Sequence, residues 1–361
     1  MINKIYSRHI YKVYLIRFTY ITLIFSSLIF VMNILEELKF FSEHDDVGIG
    51  FPIFLTILNL PSILFEIFPF IILITTQFFF IKFQNNSEIL IFRNNGINNI
   101  KIIFHLSLLV FMIGLIVITF FHLVSANMKN SYLQFKNKYT KDNKYLAVIN
   151  ENGLWIKDKI DNQIMIIHSE KINKNLLENI AITTYDDEFR NNNSIVAKSA
   201  NINNQIWKLS SVSIIDSFGK RENVSNYNFK TNFDYIKINS LFSNLESLNI
   251  IELIKQKKDF QNVGLNVSDI DLYLNKFFSL PINLIIFSLL SSILMFNVKF
   301  KKSTTFVLIS GILLSVIIYY IYYFFGLLGS NNKIPISFAV WLPNLILFLS
   351  CSIGIVNINE K

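Results

Sequence analysis

Six long apolar runs form the main pattern of the chain, and one long polar region separates the third run from the fourth. Each run is close to the roughly 20 mostly apolar residues that a helix needs to cross a bilayer. The runs cover residues 13–35, 61–83, 102–124, 277–298, 304–327 and 338–356. The pattern predicts an α-helical membrane protein with six transmembrane helices, three on each side of an inserted domain.

Charged residues in the short segments between the runs predict the orientation. Cytoplasmic loops of membrane proteins carry an excess of Lys and Arg. Such residues flank one side of the runs (Lys4, Arg8, Lys12, Lys82, Arg93, Lys101, Lys299, Lys301, Lys302), whereas the segment after the first run is acidic (Glu36, Glu37, Glu43, Asp45, Asp46). We therefore expect both termini in the cytoplasm and the long polar region on the outer side.

The long polar region has the pattern of a β domain. Its apolar stretches are short, rich in Ile, Val and aromatic residues, and bounded by Asn, Asp and Gly. Candidate strands lie at 145–149, 154–156, 164–167, 180–185, 195–197, 207–215 and 224–229, and Asn152-Gly153 is a hairpin signal between two of them. A short amphipathic helix is predicted at 249–258. Many short strands at such spacing favour a sandwich or jelly roll.

The predicted organisation thus has three parts. Residues 1–124 form the first three transmembrane helices, 125–271 form an extracytoplasmic all-β, jelly-roll-like domain with a trailing helix, and 272–361 form the last three transmembrane helices. The composition agrees, because 52% of the residues are hydrophobic and only 16% are charged, against about 25% charged in soluble domains.

Motifs for catalysis or metal binding are missing from the sequence. No Walker A motif, G-x-S-x-G elbow or H-E-x-x-H motif occurs. The single cysteine, Cys351, excludes an internal disulfide, and the histidines are scattered (His9, His44, His105, His122, His168). The net charge of +8 lies largely in segments that flank the membrane runs, so it does not indicate nucleic acid. We expect no catalytic residue, metal or cofactor.

One short predicted cytoplasmic loop, residues 86–96, has the features of a helix. Ser87 is a candidate N-cap, Glu88 suits the positive end of a helix, and Gly96 can close the helix in a left-handed conformation. Such a helix, with its apolar face and with Glu88 and Arg93, can insert into a groove of a cytoplasmic partner. The sequence equally allows an ordinary loop at the membrane interface.

Three charged residues near the outer membrane surface are candidates for lipid contact. Lys39 and Glu36 lie at the end of the first run, and Glu66 lies about one turn inside the second. Charged side chains at helix ends usually reach toward the interface, and intramembrane carboxylates are often functional. Lys39 therefore either reaches water or binds an anionic ligand in the outer leaflet.

These motifs resemble the LptF/LptG (YjgP/YjgQ) permease family, the membrane subunits of the lipopolysaccharide-export ABC transporter. The segment with Ser87, Glu88, Arg93 and Gly96 is similar to the family's S-E-L-x-x-x-R-x-x-G coupling helix. Further matches, which we expect to be structural, are Pro61 and Pro69 in the second span, Pro281 in the fourth, and Trp341-Leu342-Pro343-Asn344 with Pro335 upstream. The resemblance covers nearly the whole chain.

Two further stretches look more like LptG than LptF, namely Gly153-Leu154-Trp155-Ile156-Lys157 and Trp207. The chain departs from the family at the end of the first span. Relatives often carry several basic residues there, whereas this chain has Lys39 beside Glu36 and Glu37.

The resemblance implies a permease subunit in the bacterial inner membrane that extracts lipopolysaccharide and passes it to a periplasmic bridge. Its partners would be a sister LptF-like subunit, a cytoplasmic LptB-like ATP-binding dimer, an LptC/LptA-like bridge component and lipopolysaccharide. ATP hydrolysis would belong to the separate subunit, with Ser87, Glu88, Arg93 and Gly96 coupling it to the membrane helices. Lys39, Glu36 and Glu66 would contact lipid.

Two other interpretations fit the residues. The chain could be the LptF-like sister, or a membrane-anchored envelope scaffold that transports nothing. A lipoprotein-exporting ABC permease is disfavoured, because such chains resemble four-helix proteins with the large domain after the first helix.

Overall fold

The structure is a computed structural model that describes residues 2–42, 47–137, 139, 146–150, 153–160, 163–173, 175–185, 191–217, 219–235, 238, 244–263, 266–297 and 304–359. The chain forms two compact units. One contains residues 1–132 and 271–361, and the other contains residues 133–270.

The first unit is helical. Its helices are α1 (Ile2–Phe41), α2 (Gly50–Asn85), α3 (Glu88–Asn94), α4 (Asn99–Ile116), α5 (His122–Asn137, which continues into the second unit), α7 (Ser268–Asn297), α8 (Thr304–Ser330) and α9 (Ile336–Asn359). Six helical segments in the described part of the chain are long and apolar enough to cross a membrane. The prediction of six membrane helices is therefore confirmed.

The helices are longer than the apolar runs from which they were predicted. Helix α1 has 40 residues, which corresponds to about 60 Å at 1.5 Å per residue. Since the hydrocarbon core is about 30 Å thick, α1 extends beyond it with polar turns. Apolar sequence marks only the part of each helix that lipid surrounds.

The third span contains a feature that its sequence did not indicate. The segment Val117–Phe121 is π-helical and joins α4 directly to α5. Near it, α4 packs closely on α7, because a Cβ added at Gly114 would lie 2.8 Å from Cα of Pro281. Glycine is therefore required at this helix crossing.

Aromatic side chains fill much of the helical core. Phe79, Phe80 and Phe83 of α2 are fully buried, and Phe79 packs edge-on against Tyr14 of α1. The hydroxyl group of Tyr14 is 3.2 Å from Oγ1 of Thr76 on α2. This packing fixes α1 against α2 close to the end of α2 from which α3 begins.

The second unit contains one sheet of seven described strands. They are β1 (Leu146–Asn150), β2 (Gly153–Ile160), β3 (Gln163–Asn173), β4 (Leu176–Tyr185), β5 (Asn191–Asn201), β6 (Ile206–Asp216) and β7 (Arg221–Lys230). Every neighbouring pair is antiparallel, and the strand order follows the sequence. The inserted β domain is confirmed. The described strands form a meander, without the crossovers of a jelly roll, because short connections join sequential neighbours.

Each predicted strand overlaps one of these strands, although Tyr145 and Asn152 lie outside the described residues. Gly153 has a φ of +119°, which glycine adopts readily, and as the first residue of β2 it pairs with Asn150. The predicted amphipathic helix corresponds to α6 (Ile250–Val263), which packs against β1, β2 and β3. The buried face of the sheet includes Ile156 and Ile167.

A buried carboxylate on β2 binds the segment that follows the last strand. Oδ2 of Asp158 on β2 accepts hydrogen bonds from the Thr231 hydroxyl group (2.6 Å) and the Asn232 backbone N–H (2.9 Å). Oδ1 accepts a further bond from Nδ2 of Asn232 (2.9 Å). Next to it, Nε1 of the buried Trp207 donates to the Phe233 carbonyl oxygen (2.8 Å). These bonds fix residues 231–233 against β2 and β6.

Candidate functional site

Helix α3 forms the short connection between α2 and α4, where the sequence predicted a helix. The prediction that the Ser87 side chain caps it is wrong. Ser87 is the N-cap residue, but it is left-handed, with φ +56°, and makes no capping hydrogen bond through its side chain. A hydroxyl group caps a helix from a residue in the extended region, and this backbone conformation does not provide that geometry.

The end of α3 agrees with the sequence. Gly96 is left-handed, with φ +77°. Its N–H donates to the Arg93 carbonyl oxygen (3.0 Å), and the N–H of Ile97 donates to that of Phe92 (2.9 Å). This pair of bonds is a Schellman motif. Ile97 is buried, so α3 ends in a defined turn that leads into α4.

Glu88 is held by residues of its own chain. Its Oε2 atom lies 2.8 Å from Nε2 of His9 on α1, and its Oε1 atom accepts a hydrogen bond from Nδ2 of Asn86 (3.0 Å). The side chain of Glu88 is 16% exposed and that of His9 is 47% exposed. The ring of Tyr6 on α1 also packs edge-on against Phe92. Contacts with α1 thus help to hold α3 in position.

The outer face of α3 is partly apolar. Leu90 and Ile91 are 52% and 54% exposed, whereas Ile89 is buried. Arg93 is exposed, and its Nε atom donates to Oδ1 of Asn99 at the start of α4 (3.2 Å). Helix α3 therefore presents an apolar pair beside a cation, on a backbone fixed at both ends.

Two of the candidate lipid-contact residues, Lys39 and Glu36, lie near the end of α1 that is far from α3. Glu66 lies near the middle of α2, about four turns after its start at Gly50, and not one turn inside the second span as the sequence predicted, because α2 begins well before the apolar run. Lys39 and Glu36 are exposed in the last turns of α1. Glu66 is exposed on α2 and interacts electrostatically with Lys276 of α7.

A buried polar network near the same end of α1 was missed from the sequence. Oε1 of Glu37 accepts a hydrogen bond from the Tyr132 hydroxyl group (2.8 Å). Oδ1 of Asn59 accepts one from Nζ of Lys129 (2.8 Å), and Nδ2 of Asn59 donates to Oδ1 of Asn33 (3.3 Å). The signal was available, because Asn33 and Glu37 lie four positions apart and so share one face of α1. Polar residues within a span are often structural or functional.

The predicted structural residues lie within the membrane helices. Pro69 is inside α2, Pro281 inside α7 and Pro343 inside α9. Oδ1 of Asn344 accepts a hydrogen bond from the Tyr322 hydroxyl group on α8 (2.7 Å), so Asn344 bonds to a neighbouring helix as expected. Nε1 of Trp341 donates to Oδ1 of Asn275 on α7 (3.2 Å).

Comparison with known protein families gives a match over nearly the whole chain. The model of the family described as lipopolysaccharide export system permease LptF/LptG matches residues 8–356. The match covers α3, the β sheet and all or most of each of the six candidate membrane helices. The comparison with curated proteins found no match to this sequence.

Proposed function

Because the chain belongs to the LptF/LptG family of lipopolysaccharide-export permeases, we propose that it is the LptG-like subunit of an inner-membrane ABC transporter. In this proposal it extracts lipopolysaccharide from the membrane and passes it to a periplasmic bridge. Permeases of this family are transporter components, so ATP hydrolysis belongs to a separate cytoplasmic dimer. The sister subunit is LptF-like, and the bridge contains LptC/LptA-like components.

The proposed orientation follows from the charges. Lys12, Lys82, Arg93 and Lys101 lie at the membrane end that carries α3, and the positive-inside rule assigns this end to the cytoplasm. The termini are then cytoplasmic and the β sheet is periplasmic. The acidic end of α1, with Glu36 and Glu37, faces outward.

The main support for this proposal is the exposed apolar pair on α3. Leu90 and Ile91 are more than half exposed on a short helix between two membrane helices. An ATP-binding subunit can accept such a helix in a groove, with the apolar pair as the anchor. Glu88 lies at the edge of this surface and Arg93 lies on it, so both are within reach of polar groups on the groove.

The contacts of α3 suggest how closure of an ATPase dimer reaches the membrane. The Schellman motif at Gly96 fixes α3 to α4, and Glu88 connects it to His9 of α1. Motion of α3 is therefore transmitted to both helices instead of being absorbed by a flexible loop. In our proposal this motion changes the width of a cavity formed with the sister subunit.

Lys39 and Glu36 at the outer end of α1, together with Glu66 deeper along α2, are the proposed contacts for the lipid head group. Moving acyl chains out of the bilayer costs about 0.8 kcal/mol per methylene group. Several chains therefore require work that ATP supplies. Lys39 offers a cation for a phosphate group, while Glu36 and Glu66 disfavour a second phosphate nearby.

The test is the substitution Glu88→Ala in the purified complex in nanodiscs. We expect lipopolysaccharide release to the bridge to fall at least tenfold per ATP hydrolysed. The matched control is Asn94→Ala, which changes an exposed residue of the same helix. Wild-type release per ATP in Glu88→Ala would contradict the coupling role.

Purification through a tag on this chain distinguishes the alternatives. We expect an ATP-binding subunit, a second six-span subunit and bound lipopolysaccharide to be recovered together. Recovery with envelope proteins but without an ATPase would instead support a scaffold. Crosslinking of this chain's β domain directly to the bridge component would favour the LptF-like role.

A further inference from the structure

A small cleft between α1 and α2 is not used by the proposed transport mechanism. It has a volume of about 250 Å³ and is lined by Arg17 of α1 together with Phe78, Ile81, Lys82, Asn85 and Asn86 of α2 and its C-terminal cap. Lys82 belongs to the last turn of α2. The cleft therefore lies near the membrane surface from which α3 begins.

The charged groups of this cleft are both cations. Nε of Arg17 is buried and has no hydrogen-bond partner among the described residues. In that part of the chain, neither Arg17 nor Lys82 forms a salt bridge with a carboxylate. Glu88, the carboxylate nearest in sequence, is bonded to Asn86 and His9. Two cations close together repel each other, and a buried donor without an acceptor is destabilising.

Simple extension of the Arg17 side chain toward water does not account for this arrangement. A long basic side chain near the membrane surface usually directs its charged group into solvent. Here the guanidinium group keeps Nε buried and shares its cleft with Lys82 and two carboxamides. An anion in the cleft would relieve the repulsion and accept the free hydrogen bond.

The chemistry of the lining fits a phosphate group. A guanidinium group matches two phosphate oxygens in a forked geometry, while Lys acts as a point charge. Basic clefts between membrane helices on the cytoplasmic side commonly accept phospholipid head groups. The volume is below the roughly 300 Å³ of small drug-binding pockets, so it suits one head group.

The apolar residues of the cleft favour a lipid over a free ion. Phe78 and Ile81 form one wall and are only partly buried in the apolar clusters of the helical unit. They can contact the first carbons of acyl chains while Arg17 and Lys82 contact the phosphate. We propose that this cleft binds the phosphate group of an anionic phospholipid of the cytoplasmic leaflet.

The inference relies on the proposed orientation and is independent of which cargo the protein exports. The phospholipid would bridge α1 and α2 beside Asn86, one residue before the N-cap of α3. It would serve as a bound structural lipid, distinct from the lipopolysaccharide contacts proposed at Lys39, Glu36 and Glu66.

The test is native mass spectrometry of the full chain, released from nanodiscs that contain phosphatidylethanolamine with either phosphatidylglycerol or cardiolipin. We compare wild type with Arg17→Gln/Lys82→Gln, and use Lys12→Gln as the matched control, because Lys12 is an exposed basic residue of α1. We expect at least a tenfold loss of retained anionic lipid in the double variant and less than a twofold loss in the control.

Two further arms separate the lipid from other anions. Arg17→Lys keeps the positive charge but loses the guanidinium group that can bind two phosphate oxygens, so we expect partial retention of the anionic lipid. This conservative variant also serves as a control in case the double variant misfolds. Excess inorganic phosphate should leave lipid retention unchanged. Displacement by inorganic phosphate would overturn the proposal in favour of a free-anion site. Equal lipid retention in wild type and double variant would also overturn the proposal.

Discussion

Nε2 of His9 lies 2.8 Å from Oε2 of Glu88, and this contact joins the first helix to α3 across 79 positions of the chain. Because His9 is 47% exposed, solvent screens the interaction, which should contribute less than about 1 kcal/mol. The substitution His9→Ala should therefore raise amide hydrogen exchange in residues 88–97 by up to about fivefold.

Hydrogen-exchange mass spectrometry of the full chain measures this effect. Arg8→Ala is the control, because Arg8 is exposed and adjacent to His9. An equal rise in both variants would mean that the N-terminal turn of α1 as a whole, and not the His9 contact, supports α3.

Gly96 provides a second test of how firmly α3 is held. Its φ of +77° is left-handed, and a Cβ added there would contact nothing within 4 Å. Gly96→Ala therefore changes only the backbone preference and should destabilise the turn by about 1–2 kcal/mol. Gly96→Asn should have a smaller effect, because Asn tolerates this conformation.

Hydrogen exchange of the backbone amides around Gly96 measures how strongly each of the two variants destabilises the turn. We expect exchange near the turn to rise by about 5- to 30-fold in Gly96→Ala, and by less in Gly96→Asn. Identical behaviour of the two variants would show that the left-handed turn does not limit the stability of α3.

The sequence predicted the elements whose signals are local. Apolar runs identified all six membrane helices, and the Ile- and Val-rich stretches identified the strands, because each depends on a short repeated pattern. Gly96 was predicted correctly for the same reason, since a helix that ends on glycine commonly adopts a left-handed turn.

Features that depend on distant residues could not be predicted from the sequence. The Ser87 cap failed because the connection from α2 forces Ser87 into a left-handed conformation. The meander order depends on which strands pair, and strand patterns do not specify that. The His9–Glu88 contact and the Glu37–Tyr132 bond join residues far apart in the chain. Among the candidate site residues, sequence identified Glu88 but not the partner that holds it.

Asp158 supports a prediction for the β domain. Its buried carboxylate accepts three hydrogen bonds from Thr231 and Asn232. Hydrogen bonds to a charged group contribute about 1.5–3 kcal/mol each, so Asp158→Ala should lower the free energy of unfolding of the β domain by about 3 kcal/mol or more.

Limited proteolysis of the full chain measures the effect, with faster cleavage expected near residues 231–235. Glu222→Ala is the control, because Glu222 is exposed on β7. If both variants were cleaved at the wild-type rate, the bonds of Asp158 would not limit the opening of this segment.

Tyr322 and Asn344 allow a measurement inside the membrane unit. The Tyr322 hydroxyl group donates to Oδ1 of Asn344 (2.7 Å). Asn344 is 3% exposed, and its Nδ2 group donates to the Val340 carbonyl oxygen. Hydrogen bonds between membrane helices contribute about 0.6 kcal/mol on average and up to about 1.7 kcal/mol. Because Asn344 is buried, Tyr322→Phe should lower the free energy of unfolding in mixed detergent micelles by about 1 kcal/mol.

Tyr320→Phe, which removes an exposed hydroxyl group from the same helix, should have no effect. A double-mutant cycle with Asn344→Leu isolates the pair, and a coupling energy of zero would mean that apolar packing alone holds α8 to α9 here.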